Sequence, residues 1–234
     1  MCIAGGRIED FGRQGGSNAI RSGKNLQGAR AIPAHDHLYF EGDTRDFVYV
    51  VESGWVKLYR TLIDGQRQVV GFANAGSILG LESEAEHCNG CEAITPVAVR
   101  AIPVARLKEA CRVDADFTEQ LLRQIGRQLG AAQAQLATVG AQTAEQKLAT
   151  FLLSIAGLCD EADDGDFELP MRRGEMAEFL GLRLETISRK MSDFQRRGWI
   201  RMTSLYHCRI LRRDILEDLA EGGESQEASM LRAC

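Results

Sequence analysis

No stretch of this chain holds the ~18 consecutive apolar residues that a membrane-crossing helix needs, and its first residues lack the apolar core of a secretory leader. The expectation is a chain that stays in the cytoplasm and off the membrane. A disulfide framework is missing as well. The seven cysteines stand at positions 2, 88, 91, 111, 159, 208 and 234, an odd number without framework spacing, which in a reducing compartment predicts free thiols. Positive charge is short overall, since 28 Lys and Arg face 33 Asp and Glu for a formal net charge of −5. Taken alone, that sum argues against a polyanionic partner, but the charge is unevenly spread. Between Met171 and Arg213 stand eleven Lys or Arg and four Asp or Glu, so the rest of the chain is strongly acidic. A basic C-terminal module on an acidic body is the balance expected of a DNA-binding head joined to a separate sensing or assembly domain.

What is present changes character along the chain. With 234 residues, 44% of them hydrophobic, there is material for one large core or two modest ones. Residues 1–28 are rich in Gly, Ser, Arg and Asn and read as a flexible arm. Residues 29–106 show short strands punctuated by turns. Val48–Val51 is apolar, Ser53-Gly54 turns the chain, and Val56, Leu58 and Tyr59 follow. Asp64-Gly65 lies between Leu58–Ile63 and Val69–Phe72, a hairpin signal, with further turns at Asn74–Ser77 and Asn89-Gly90. About six to eight strands of this kind predict a small antiparallel barrel or roll.

Residues 107–141 switch to a helical period. Leu122, Ile125, Leu129, Ala132, Leu136 and Val139 step by 3, 4, 3, 4 and 3, an a/d seam. An ordinary helix packed on its own domain has a similar period. The narrowness of the seam and the flanking Gln124, Gln128, Gln133 and Gln135 favour a partner helix instead. A parallel pair would make a two-fold dimer, which matches a palindromic DNA site. Gln142–Asp160 begins another helix with Leu148, Phe151, Leu152 and Ile155 on one face, and Asp160–Asp166 reads as an acidic loop.

Residues 142–216 carry the function. Met171–Leu180 reads as a short helix with Met176, Phe179 and Leu180 inward, Gly181 as a tight turn, and Leu184–Arg197 as a second helix. Ile187, Met191 and Phe194 recur at the spacing of a buried stripe, which leaves Glu185, Ser188, Arg189 and Ser192 outward. That set suits a DNA groove. Arg189 can donate to two acceptors of a guanine, Glu185 can accept from a cytosine amino group, and Ser188 is small enough to approach a base edge. Leu184 or Thr186 is placed for a thymine methyl or a phosphate. Arg172, Arg173, Arg196 and Arg197 are better placed for phosphates. Two short strands, Trp199–Met202 and His207–Leu211, then make a wing, and 217–234 reads as a tail. A basic helical hairpin with solvated charges is the plainer alternative.

At this point a family resemblance is legible. Leu184-Glu185-Thr186-Ile187-Ser188-Arg189 with Phe194–Ile200 resembles the recognition helix of the CRP/FNR regulator superfamily, on its FNR/FixK side. Tyr39–Asp43, Val48–Gly54 and Gly76–Leu81 resemble the same family's β-roll, and Thr143–Ala149 the start of its DNA-binding domain. The resemblance spans about residues 30–215. It implies an α+β chain with an N-terminal double-stranded β-roll of the cyclic-nucleotide-binding type, a long dimerisation helix and a C-terminal winged helix-turn-helix. It also implies that Glu185, Ser188 and Arg189 read TTGA and its complement TCAA across a six-base spacer. Activation through RNA polymerase, in microaerobic, nitrogen-fixation or denitrification programmes, is the implied action.

Effector chemistry is read from the same stretch. A cyclic-nucleotide pocket of the CRP kind requires a Glu and an Arg-Ser pair, yet Gly76–Ala93 contains no arginine; Ile78 stands near the first position and His87-Cys88-Asn89 near the second. An FNR-type iron–sulfur cluster requires clustered N-terminal cysteines, and the arm offers only Cys2. Cys88 and Cys91 have metal-ligand spacing, and Cys208 lies in the wing where oxidation would disturb DNA binding. His35, His37 or His87 is available to a haem. The expectation is no cofactor and no metal, with control through the protein's own synthesis as in FixK-like members. A rival enzyme reading rests on His35-x-His37-x3-Glu41, which fits the first metal motif of cupins; the second motif is lacking.

Overall fold

The computed structural model describes residues 2–3, 29–82, 84–139, 142–159 and 165–223. Two compact units emerge, Met1–Ala134 and Gln135–Cys234.

The first unit is built on nine strands among the described residues: β1 (Cys2–Ile3), β2 (Arg30–Ile32), β3 (His37–Tyr39), β4 (Phe47–Ser53), β5 (Val56–Thr61), β6 (Arg67–Ala73), β7 (Ile78–Leu79), β8 (Gly90–Ala93) and β9 (Val97–Pro103). They form a five-stranded sheet, β1-β6-β5-β8-β3, and a four-stranded sheet, β2-β9-β4-β7. Alternation places Val48 and Val50 of β4 inward, and Val56, Cys91, Val97 and Val99 join Leu38 and Tyr39 in a common core. The expected hairpin is present: β5 and β6 are antiparallel, with Thr61 opposite Arg67 and Gly65 at φ 81° in the turn. Gly54 is equally constrained, because a Cβ there would lie 2.3 Å from the Pro96 carbonyl oxygen. At the start of the chain, Cys2–Ile3 pairs in parallel with β6 where a flexible arm was expected; the remainder of that arm, 4–28, lies outside the described residues.

The segment expected as one helix over 107–141 is two, α1 (Val104–Val113) and α2 (Ala115–Val139). Asp114 is the cause. It is extended at φ −126° and ψ 101°, and its Oδ1 accepts from the Phe117 N–H at 2.9 Å, starting a new helix at its own cap. Phe117 and Leu121 pack with Ala110 of α1. Beyond them Leu122, Ile125 and Leu129 are exposed.

In the second unit a capping box starts α3 (Ala144–Leu158): Thr143 Oγ1 accepts from Gln146 N, and Gln146 Oε1 accepts from Thr143 N. Strand β10 (Asp166–Glu168) follows, then α4 (Arg173–Leu180), α5 (Leu184–Arg196), β11 (Ile200–Met202), β12 (His207–Ile210) and α6 (Arg213–Ala220). Two expectations are corrected. The wing is a three-stranded sheet, β10-β12-β11, because Asp166, the end of the expected acidic loop, pairs with β12 opposite Arg209, and Phe167 follows opposite Cys208; residues 160–164 lie outside the described residues. The expected tail begins as helix, since Leu216 and Leu219 of α6 are buried; residues 224–234 lie outside the described residues.

Candidate nucleic-acid interface

Helices α4 and α5 are joined by a turn that Gly181 makes possible. It sits at φ 63° and ψ 40°; its N–H donates to the Glu178 carbonyl and the Leu182 N–H to Ala177, at 3.4 and 3.0 Å. These paired bonds close a Schellman motif. Glu175, itself buried, caps the start of α4 by accepting from the Arg172 N–H at 2.8 Å. Ile187, Met191 and Phe194 of α5 are at most 1% exposed and anchor that helix. Phe194 lies 5.1 Å from the Trp199 ring, which joins α5 to the wing.

This anchoring leaves Glu185, Ser188, Arg189 and Ser192 exposed on one side of α5. They are the residues singled out for base edges, together with their neighbour Ser192. Thr186 is half-buried on the flank. The expected phosphate contacts divide. Arg172 is exposed; Arg196 is exposed and paired with Asp193; Arg197 is half-buried with its guanidinium 4.8 Å over the Trp199 ring. Arg173 departs from expectation. It is turned inward, Nη1 3.4 Å from Met176 Sδ, and burial lowers its pKa. A guanidinium packed on its own helix's thioether is poorly placed for a backbone phosphate.

Sequence reasoning missed Lys190, whose Nζ lies 2.6 Å from Glu145 Oε1 of α3. It also missed Asp166, which accepts from Thr203 Oγ1 at 2.8 Å and lies 3.3 Å from His207 Nδ1, bracing the wing. Both pairings span more than thirty residues, and no local spacing announces them. Leu205 and Tyr206 are exposed between β11 and β12.

Three cysteine and histidine expectations change. Cys208 is fully buried and burial pushes its thiol up to about 12, so it is no exposed redox sensor on the wing. Cys91 is equally buried among Leu38, Tyr39 and Val56, and burial raises its thiol well above the usual range. Cys88 is half-buried, so the two thiols of the pair differ in their access to solvent. His87 is buried, stacked on Tyr39 at 3.7 Å, with Nδ1 3.7 Å from Glu82 Oε2; burial lowers its pKa against the opposing pull of that carboxylate. The cupin-like set disperses: Glu41 holds Arg60 and the Thr61 N–H, His37 faces Glu92, and His35 is exposed. Among the described residues no group of three or more His, Cys, Asp or Glu could hold a metal ion. A cyclic phosphate finds no guanidinium from Gly76–Ala93, and Arg45, which reaches into that stretch, donates to the Gly80 and Glu84 carbonyls. Its residues do not fit a nucleotide of the CRP kind.

On the seam, Leu122, Ile125 and Leu129 are 63%, 37% and 57% exposed. Ala132, Leu136 and Val139 continue α2, but their side chains, like those of Gln124, Gln128, Gln133 and Gln135, lie outside the described residues.

A β-roll followed by a winged helix-turn-helix defines a DNA-binding transcription regulator, and two family models agree: a cyclic nucleotide-binding domain over residues 29–114 and a Crp-like helix-turn-helix domain over 146–219. The nitrogen fixation regulation protein FixK of Rhizobium meliloti is 32% identical over 198 residues, covering 83% of this chain and 89% of that protein. FixK of Bradyrhizobium diazoefficiens is 33% identical over 177 residues, 70% of each chain. Among solved structures, FixK2 from Bradyrhizobium japonicum superposes with a TM-score of 0.75 at 30% identity, covering 84% of this chain and 98% of that one. The chain belongs to the CRP/FNR family of transcription regulators, in its FixK-like subgroup. No helix among the described residues is long and apolar enough to cross a membrane.

Proposed function

We propose that the chain is a cytoplasmic homodimeric activator that reads a TTGA-N6-TCAA-like palindrome through Glu185, Ser188 and Arg189 and acts on RNA polymerase. The observation that carries this reading is the sidedness of α5, with these three residues exposed opposite Ile187, Met191 and Phe194. Residues in the first turns of a recognition helix are the ones aimed at base edges. Dimerisation proceeds through the α2 seam, whose apolar Leu122, Ile125 and Leu129 stand exposed on the single chain. Arg172, Arg196 and Arg197 hold phosphates, and Thr186 lies at the groove's edge. The protein catalyses no reaction and senses through no iron–sulfur cluster, haem or cyclic nucleotide; in support, Cys91 and His87 are buried, and Glu41 and His37 are engaged with Arg60 and Glu92. Its targets belong to programmes such as nitrogen fixation or microaerobic respiration, a reading supported by the names its FixK relatives carry.

The test is titration of the purified protein against the palindrome and a scrambled duplex at one stated salt concentration, with and without oxygen. Tight palindrome-specific binding in both atmospheres is expected. Binding only without oxygen would return Cys88 and Cys91 to the position of cluster ligands, and no preference in either would remove the palindrome.

A further inference from the structure

Lys190 follows Arg189 on α5 but does not join it on the exposed side. Its Nζ lies 2.6 Å from Glu145 Oε1, with the two side chains only 23% and 14% exposed. A short, largely shielded ion pair of this kind is stronger than the usual surface pair. Its location matters more than its strength. Glu145 stands in the first turn of α3, and that same stretch tethers the other parts of the module. Lys147 Nζ donates to the Leu180 carbonyl at the end of α4 at 3.4 Å, and Gln142 and Gln146 donate to Ala220 and Gly223 at the end of α6 at 3.2 and 3.1 Å. Of these bonds, that of Glu145 reaches the recognition helix.

Successive residues of a helix are rotated by about 100°, so Lys190 lies on the flank of the base-reading face. Its long stem would let the ammonium swing toward a DNA phosphate if Glu145 released it. A free cation there would strengthen binding to every sequence alike, because phosphate neutralisation carries no sequence information. We infer that Glu145 and Lys190 form a positioning pair that orients the recognition helix against α3 and withholds the lysine from the DNA backbone. By holding the recognition helix against α3, Glu145 sharpens sequence preference without touching a base, whereas withholding the lysine lowers binding to all sequences alike and leaves the preference unchanged. The inference rests on α5 as the base-reading helix.

The experiment uses the full-length protein and the variants Glu145→Gln, Lys190→Met, Lys190→Arg and the Gln/Met double, titrated against palindromic and scrambled duplexes over a range of salt, with thermal unfolding alongside. Glu145→Gln is expected to tighten scrambled-duplex binding, steepen the salt slope by about one, and lower the preference for the palindrome about three- to tenfold. On the Lys190→Met background the same substitution is expected to change neither slope nor preference, whereas Lys190→Arg retains the wild-type preference. Equal effects of Glu145→Gln with and without Lys190 would overturn the pairing, leaving simple repulsion between carboxylate and DNA. A fall in unfolding temperature with slope and preference unmoved would reduce the pair to a structural brace and overturn it likewise. A wild-type protein indifferent to the palindrome would sink the target assignment instead, while the coupled salt slopes would still report on the pair.

Discussion

Arg189 and Arg172 are exposed arginines of the same module, and they differ in what they meet. Arg189 lies among Glu185, Ser188 and Ser192 on the outward side of α5, whereas Arg172 precedes α4. Arg189→Ala should cost ~1–3 kcal/mol per half-site and relax discrimination at one base pair. Arg172→Ala should weaken all sequences about equally and flatten the salt dependence, which filter binding at several salt concentrations resolves. Cys208 illustrates the opposite kind of residue. Its thiol is held protonated by burial, with its pKa pushed up to about 12. An unfolded thiol releases its proton at lower pH, so the folded state binds more protons above about pH 8.5 and stability falls as pH rises from there toward 12. Denaturation midpoints between pH 8 and 11 should therefore decline less steeply in Cys208→Ala than in wild type. Native protein should resist thiol alkylation at this position at neutral pH. The sequence placed Cys208 correctly in the wing. Its burial follows from which side of β12 faces the helices, and that is fixed by pairing with β10, a strand the charge pattern disguised.

At the scale of elements, the most legible features were those whose signal is local. The helix-turn-helix was readable because Met176, Phe179, Ile187, Met191 and Phe194 repeat at helical spacing around one glycine. The β5–β6 hairpin was readable from Asp64-Gly65 between two apolar runs. Features that depend on distant partners were not. Strand β10 hid behind Asp166 and Glu168, although Phe167 and Leu169 alternate with them and are both buried. The break at Asp114 was overlooked because a cap in the middle of a helical stretch looks like one more polar residue; only the bond to the Phe117 N–H reveals it. The bonds that the start of α3 makes to α4, α5 and α6 have no signature in any window short enough to read. Gly181 offers an element-scale test. A Cβ there meets nothing within 4 Å, so the cost of Gly181→Ala is conformational alone. It should be ~1–2 kcal/mol, measured by chemical denaturation, with the surrounding core unchanged.

For the whole molecule, the central question is how two copies address one stretch of DNA. A two-fold pair built on α2 would set recognition helices in successive major grooves, about 34 Å apart. Leu129→Asp, alone or with Ile125→Asp, should yield a folded monomer in analytical ultracentrifugation that has lost palindrome binding but kept weak attraction to any DNA. Lengthening the spacer by about half a helical turn should abolish binding by the wild-type dimer, since the second half-site would then face away. The three-stranded wing adds a consequence of its own. Strand β10 precedes α4 and α5 in the chain, yet it zips to β12, which follows them. The reading head is therefore clasped at both ends by a single sheet. Its amides should exchange with solvent as one cooperative block, and a fragment beginning at Met171 would keep the β11–β12 hairpin but lose the strand that buckles it to the start of the head.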